Sequence, residues 1–238
     1  MANIIQMFPS RVNWLKAIGV SLLLVPLIAF SAYSLRFGLR GLGVDLSEET
    51  YIFTPDGTLP NVAIFSHMLL GAIAMVLAPL QLSSRLRMRL PALHRVSGQL
   101  IIFSATLIAL GGLIYIAVRG TIAGWLMDVG FALYGFLMLG AALQAFRFAR
   151  KADFRRHREW ALRLFVLIMG SLIFRLHYAL WYLLTGGLAS NEQLTGPFDQ
   201  VQYFAFYLPY LVLVELWIRK RPQVPVRVQS SPLTRPDR

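Results

Sequence analysis

The sequence predicts an all-α integral membrane protein, a bundle of six transmembrane helices with both termini in the cytoplasm. Of its 238 residues, 57% are hydrophobic and only 14% are charged. Soluble domains carry about 25% charged residues, so this composition is typical of a membrane protein. Six apolar segments are each long enough to cross a bilayer as a helix, which takes about 20 residues. The alternating strand pattern of a membrane β-barrel is absent from the sequence.

The six predicted spans follow one another along residues 1–218, which we expect to form one transmembrane domain. Each span must satisfy its own backbone hydrogen bonds because the hydrocarbon core holds no water, and a helix does so. Residues 219–238 contain four prolines and no apolar periodicity, and are expected to form a disordered basic tail. If the first span were instead a cleaved signal peptide, five spans would be left. The spans lie at about 15–35, 62–83, 97–118, 122–146, 160–186 and 201–218.

The net charge of +12 is distributed as membrane topology requires. The N-terminus, the second and fourth connections and the tail hold two, four, six and six basic residues, which is eighteen of the 23. The other connections hold only Arg36, Arg40 and Arg119. This asymmetry follows the positive-inside rule and places both termini on the cytoplasmic side of the membrane. The expected partner of the basic residues is therefore the lipid bilayer and not nucleic acid.

The absence of cysteine limits the chemistry that the chain can perform. Disulfides, thiol nucleophiles and thiolate metal sites are excluded. Ser97 and the four histidines match no nucleophile elbow and no triad order of the hydrolases. Functional chemistry is therefore expected from imidazole rings and from charged side chains inside the membrane.

Two of the four histidines are expected in the outer half of the membrane. His67 lies in the second span and His177 in the fifth, and two imidazoles on facing helices could ligate one haem b. Gly71, one turn after His67, and Gly170, two turns before His177, would leave room for the macrocycle, and Arg175 could bind a propionate. In the alternative interpretation, the small residues only let helices pack closely and each histidine bonds a neighbouring carbonyl or hydroxyl.

The other two histidines, His94 and His157, precede the third and fifth spans at the inner surface. They could ligate a second haem whose propionates Arg95 and Arg158 would hold. A quinone or an anionic headgroup at this inner site is an equally open alternative. In the plainest interpretation, these basic interfacial residues contact lipid phosphates and form no site.

Four further charged groups inside the spans need partners. Asp128 is expected at nearly the depth of Arg175, so the two could form an ion pair. Arg163 and Glu215 both lie about one turn from the inner ends of their helices. We expect these two residues to form a structural ion pair.

The sequence resembles a family of bacterial predicted membrane proteins, domain of unknown function 2306, over about residues 60–180. The resemblance lies in "SHMLLGAIAMVLAPLQLSSRLRMRLPALHRVSGQL" and "RRHREWALR". It implies a multi-pass membrane protein and assigns no activity. More loosely, six helices with histidines at two depths are similar to the diheme, ascorbate-reducible b-type cytochromes. The most specific positions are His67, Leu93, His94, Arg95, Gly98, His157, Arg158, Trp160 and Arg163.

Three functions are compatible with these features. The first is a b-type haem protein that carries electrons to or from a quinone or a respiratory-chain partner through a bis-histidine site. The second is a non-enzymatic scaffold or assembly factor for a respiratory complex, because the architecture is similar to that of membrane proteins that assist cytochrome oxidase assembly. The third is a small-molecule or lipid transporter. The sequence leaves the oligomeric state open.

Overall fold

The computed structural model describes residues 14–220, and all regular secondary structure in that range is helical. Six helical segments within it are long and apolar enough to cross a membrane, which confirms the predicted six-span, all-α class. The predicted tail lies outside the described residues except for Arg219 and Lys220, which belong to the last helix. The helices are α1 (Trp14–Gly43), α2 (Thr58–Gln81), α3 (Ser84–Arg89), α4 (Pro91–Arg119), α5 (Trp125–Arg150), α6 (Phe154–Thr185), α7 (Pro197–Ala205) and α8 (Leu208–Lys220).

Most helices extend beyond the apolar segments from which they were predicted. The third span begins six residues early at Pro91, because proline is well suited to the first turn of a helix. The fifth span begins six residues early at Phe154, where the Asp153 side chain accepts a hydrogen bond from the Arg156 backbone N–H at 3.0 Å. This contact caps the helix in its basic first turn. Hydropathy marks only the part of a helix inside the hydrocarbon, so it misses such ends.

The sixth span, predicted at about 201–218, is not one continuous helix. It consists of α7 and α8, which are separated at Phe206 and Tyr207. Pro209 has no backbone N–H and cannot bond the carbonyl of Ala205, four residues earlier. The Tyr207 N–H instead bonds the Phe204 carbonyl at 3.3 Å, which tightens the chain into a turn.

Small residues bring the helices into close contact. Fully buried Ala74, Ala105 and Ala142 lie in the core where α2, α4, α5 and α6 meet. A Cβ atom added at Gly111 on α4 would lie 2.6 Å from the carbonyl oxygen of Ala63 on α2. Such contacts let backbones approach closely, which is how helices associate inside a membrane.

The outside of the bundle is apolar, as contact with a lipid bilayer requires. Leu183 is 81% exposed, Leu184 71% and Leu22 70%. A soluble monomer rarely shows so much apolar surface.

The bundle has two ends, a loop end and a basic end. The loop end carries the connections 44–57, 120–124 and 186–196, and the basic end carries 82–90 and 151–153.

Candidate functional site

A cavity of about 280 Å³ lies between the helices in the half of the bundle nearest the loop end. Helices α1, α2, α4, α5 and α6 form its walls, which are mostly apolar. The loop connections contribute Tyr51, Ile52, Ile122 and Leu194. The volume lies just below the range of typical small-molecule sites, about 300 to 1,000 Å³. Its polar lining includes His67 and Arg175, two of the residues singled out from the sequence.

His67 presents one free ring nitrogen in the cavity wall. Its Nδ1 lies 2.7 Å from the carbonyl oxygen of Ile108 on α4. A carbonyl can only accept, so Nδ1 carries the proton, and Nε2 of the neutral ring has a lone pair. No residue from 14 to 220 hydrogen-bonds this Nε2. Gly112 makes room for the ring, since a Cβ atom there would lie 3.3 Å from Nδ1.

Arg175 brings a positive charge to the same cavity. Its Nη1 donates to the carbonyl oxygen of Ser171 at 3.1 Å and to the Ser171 hydroxyl at 3.0 Å. The guanidinium lies 4.1 Å from the centre of the Phe30 ring, a cation–π distance. No carboxylate in the described part of the chain forms an ion pair with Arg175. Its charge lies within electrostatic reach of His67.

Aromatic rings form one wall of the cavity. Phe206, at the break in the sixth span, lies edge-on to Phe131, Tyr134 and Phe174 at centroid distances of 5.5, 5.0 and 5.3 Å. The Tyr134 hydroxyl donates to the carbonyl of Leu167, so its proton is already used within the protein. Edge-to-face contacts of this kind fix the orientation of each ring. The wall is therefore a rigid aromatic surface.

The connections at the loop end are tied to the helices by phenol groups. The Tyr115 hydroxyl donates to the carbonyl oxygen of Ile52 at 3.1 Å and accepts from Arg119 Nη1 at 2.8 Å. Partial burial raises the pKa of Tyr51 above its ordinary value, so this side chain is a neutral phenol under physiological conditions. These contacts hold the 44–57 connection beside the cavity.

His177, predicted as the partner of His67, points toward the sixth span. Its Nδ1 lies 3.1 Å from Gln202 Oε1 on α7, and its Nε2 lies 2.7 Å from the Tyr210 hydroxyl on α8. It is not among the residues that line the cavity. The two imidazoles are thus not brought together, and sharing one iron would require His177 to leave both partners. Haem ligation by this pair stays a prediction.

The two predicted glycines have different surroundings. Gly71 lines the cavity, and a Cβ atom added there would meet nothing within 4 Å. A Cβ atom at Gly170 would instead lie 3.0 Å from the Tyr134 ring and 3.3 Å from that of Phe206. Gly71 therefore borders open space, whereas Gly170 makes room for the aromatic wall.

The predicted inner-site residues lie at the basic end. His157 Nδ1 lies 2.8 Å from the carbonyl oxygen of Ala145, and buried Nδ1 of His94 has no hydrogen-bond partner in the described range. The two rings are within electrostatic reach of each other. Arg95 and Arg158 are exposed. Residues 14–220 contain no cluster of three or more histidines and acidic residues that could hold a metal ion.

The embedded charges form one of the two expected ion pairs. Arg163 on α6 pairs with Glu215 on α8, and Glu215 also accepts from Arg219 at 2.8 Å. The expected Asp128–Arg175 pair is not formed, which corrects that prediction. Asp128 instead accepts a hydrogen bond from the Thr121 backbone N–H at 2.6 Å. An acid in the first turn of α5 is well placed to bind a backbone N–H of the preceding connection.

Comparison with known proteins adds a family to this geometry. Residues 64–218 match the model of the family described as predicted membrane protein, DUF2306, and this segment is more than half of the chain. The chain belongs to this family. The family segment includes His67, Arg175 and His177, whereas α1 with Phe30 lies before it. No curated protein and no solved structure matches the chain.

Several residues that shape the site were not recognised from the sequence. Gln202 and Tyr210 were missed as partners of His177 because their positions depend on the break in the sixth span. Gly112 was missed because it lies on α4, opposite His67 and distant from it in sequence. The sequence signal that could have indicated Gly112 is its pairing with Gly111 in the middle of the third span, because adjacent glycines mark a close helix contact.

Proposed function

We propose that this DUF2306 member binds, inside the membrane, a small amphipathic molecule with a polar head that accepts hydrogen bonds. The observation that carries the proposal is the sharing of one apolar cavity by Arg175 and by His67, whose Nε2 has no hydrogen-bond partner among the described residues. The apolar walls would contact the body of the ligand, and these two groups would bind its head. Sites with few convergent polar groups on an apolar background are typical of small-molecule binding.

The position of Arg175 supports a ligand with an electron-rich head. A charged side chain within a membrane span is costly unless it is paired or hydrated. Arg175 contacts Ser171 and Phe30, which together offer a carbonyl, a hydroxyl and a ring but no negative charge. Most of its five N–H donors remain available. A ligand oxygen would therefore find a charge-assisted donor there.

The setting that we propose is the bacterial cytoplasmic membrane, with the basic end in the cytoplasm. It is supported by the distribution of basic residues, eighteen of 23 in the segments assigned to one side. In this orientation the cavity lies in the outer half of the bilayer. A ligand would enter from the outer surface or from the outer leaflet.

Photolabelling of the purified protein in lipid nanodiscs tests the proposal. The probes are three ten-carbon diazirine amphiphiles that carry a phenol, a carboxylate or a trimethylammonium head. We expect the first two to label α2 and α6 peptides and the cationic probe to label them least. Arg175→Gln should weaken labelling by about tenfold, the equivalent of one charge-assisted hydrogen bond.

Arg36→Gln is the matched control, because Arg36 has the same charge and is exposed like Arg175 but does not line the cavity. It should leave labelling unchanged. Equal labelling by all three heads, or equal effects of the two substitutions, would overturn the proposal.

Haem b bound through His67 is a second candidate, and with it a role as an electron carrier. One observation favours it: a histidine that bonds a backbone carbonyl through Nδ1 presents Nε2 in the way that metal-binding histidines do. The protein purified after expression with haem available would then show a Soret band that His67→Ala abolishes. A colourless protein would end this candidate. The scaffold and transporter functions stay predictions.

A further inference from the structure

We infer that the head of the ligand is an aromatic hydroxyl, as in a lipid-soluble quinol, bound with its O–H toward Nε2 of His67 and its oxygen toward Arg175. The inference rests on the proposed binding in this cavity and adds the chemical class of the ligand. It depends on three features of the site: the proton acceptor, the cation beside it and the shape of the walls.

The proton acceptor is the imidazole of His67. With Nδ1–H held by the Ile108 carbonyl, the remaining Nε2 lone pair can only accept. Two of the three phenols in the wall donate elsewhere, because Tyr134 donates to Leu167 and Tyr115 donates to Ile52. A hydroxyl on the ligand would supply a donor to Nε2.

The positive charge of Arg175 beside His67 distinguishes a carboxylic acid from a phenol as the head of the ligand. A carboxylic acid is already ionised at neutral pH. It would pair with Arg175 but turn acceptor oxygens toward the Nε2 lone pair. A phenolic hydroxyl, whose ordinary pKa is about 10, keeps its proton and donates it to Nε2, while its oxygen accepts from Arg175. One hydroxyl group therefore satisfies both side chains at once.

The same arrangement supports proton transfer. When the ligand O–H bond breaks, its proton forms an N–H bond at Nε2, which leaves an aryloxide and an imidazolium, so that the net charge is unchanged. Arg175 would stabilise the aryloxide. The Ile108 carbonyl would stabilise the imidazolium through the existing Nδ1–H contact. Both ring nitrogens are donors in that state, and both would have an acceptor.

The walls fit a flat ring. Phe131, Phe174 and Phe206 present fixed faces and edges against which an aromatic head can pack. The volume of about 280 Å³ is small for a ligand pocket and suits a single ring better than a macrocycle. The open space beside Gly71 adds room next to His67, one helical turn away.

The decisive experiment compares two probes that differ by one proton. Binding of 4-decylphenol and of its methyl ether, 4-decylanisole, is measured calorimetrically on the full-length protein in nanodiscs, with decanoate as a third probe. We expect the phenol to bind at least about tenfold more tightly than the ether.

A matched variant tests the role of His67. His67→Ala should remove the preference for the phenol over the ether. Arg36→Gln, which removes a charge at an exposed position that does not line the cavity, should keep this preference. If His67→Ala does not fold, the comparison of phenol and ether on the unmodified protein still decides.

The outcomes separate this inference from the proposed function. Equal binding of phenol and ether, or tightest binding of decanoate, overturns the inference and leaves a ligand-binding protein. Failure of all three probes to bind overturns both.

Discussion

The Nδ1 atom of His67 on α2 lies 2.7 Å from the carbonyl oxygen of Ile108 on α4. This contact joins two packed helices and sets which ring nitrogen carries the proton. It also turns the free Nε2 away from the backbone of α4, in a ring that lines the cavity. The chemistry of the cavity therefore depends on how closely α2 and α4 approach each other.

Gly112→Ala should disturb the site without unfolding the protein. The added Cβ would lie 3.3 Å from Nδ1 and 3.4 Å from Cε1 of His67, which is close enough to push the ring. We expect several-fold weaker binding of 4-decylphenol and a small change in thermal stability. Gly140→Ala is the control, because its Cβ would meet nothing within 4 Å and Gly140 does not line the cavity. Equal affinities of the two variants would show that ring position is unimportant.

His177→Ala should destabilise the sixth span and spare the cavity. The substitution removes two hydrogen bonds and leaves Gln202, which is 2% exposed, without this partner. A loss of about 1 to 3 kcal/mol in the free energy of unfolding is expected. The affinity for 4-decylphenol should stay within about twofold of the unmodified protein. If a haem spectrum is present and this variant abolishes it, His177 is an iron ligand.

The helices could be predicted because each one depends only on the residues of its own segment. Each span is a run of apolar residues that must be helical in a bilayer, and this holds whatever its neighbours are. Hydropathy stays high across Pro209, so hydropathy alone does not show the break at Phe206 and Tyr207. Proline inside a span can kink a helix or end it, and tertiary contacts decide between the two.

The site was only partly predictable because its contacts are between helices. Embedded His67 and Arg175 were recognised from the cost of placing polar groups in lipid. Their sharing of one cavity, and the turning of His177 toward Gln202, depend on helix rotation. A single sequence contains no measure of rotation beyond its small-residue stripes.

Asp199→Asn should loosen the 186–196 connection. The fully buried carboxylate accepts from Tyr178 and Ser190 hydroxyls at 2.7 Å each, and from the backbone N–H groups of Asn191 and Gly196 at 3.2 and 2.9 Å. An amide would turn an N–H toward one pair of donors, at a cost of about 2 to 4 kcal/mol. Thermal unfolding and limited proteolysis of the connection measure this effect.

The exposed acid Glu192 in the same connection provides the control for Asp199. Glu192→Gln changes the charge by the same amount and should leave both measurements unchanged. Equal behaviour of the two variants would mean that the buried carboxylate contributes only its charge.

Acidification should release the 44–57 connection from the end of α1. Arg40 donates to both carboxylate oxygens of Glu49, at 3.0 and 2.6 Å, and holds the pKa of this exposed acid below its ordinary value. The pKa of Glu49 is lower in the folded protein than its ordinary value, near 4.3, so the ion pair stabilises the folded connection fully above that ordinary value. This stabilisation is lost as the pH falls through the lowered pKa. Hydrogen exchange of residues 44–57 should therefore show more frequent opening below that ordinary value, once corrected for intrinsic rates.

Glu49→Gln should show the same opening already at neutral pH, whereas Glu48→Gln should behave as the unmodified protein. An opening frequency independent of pH in the unmodified protein would show that this ion pair does not restrain the connection.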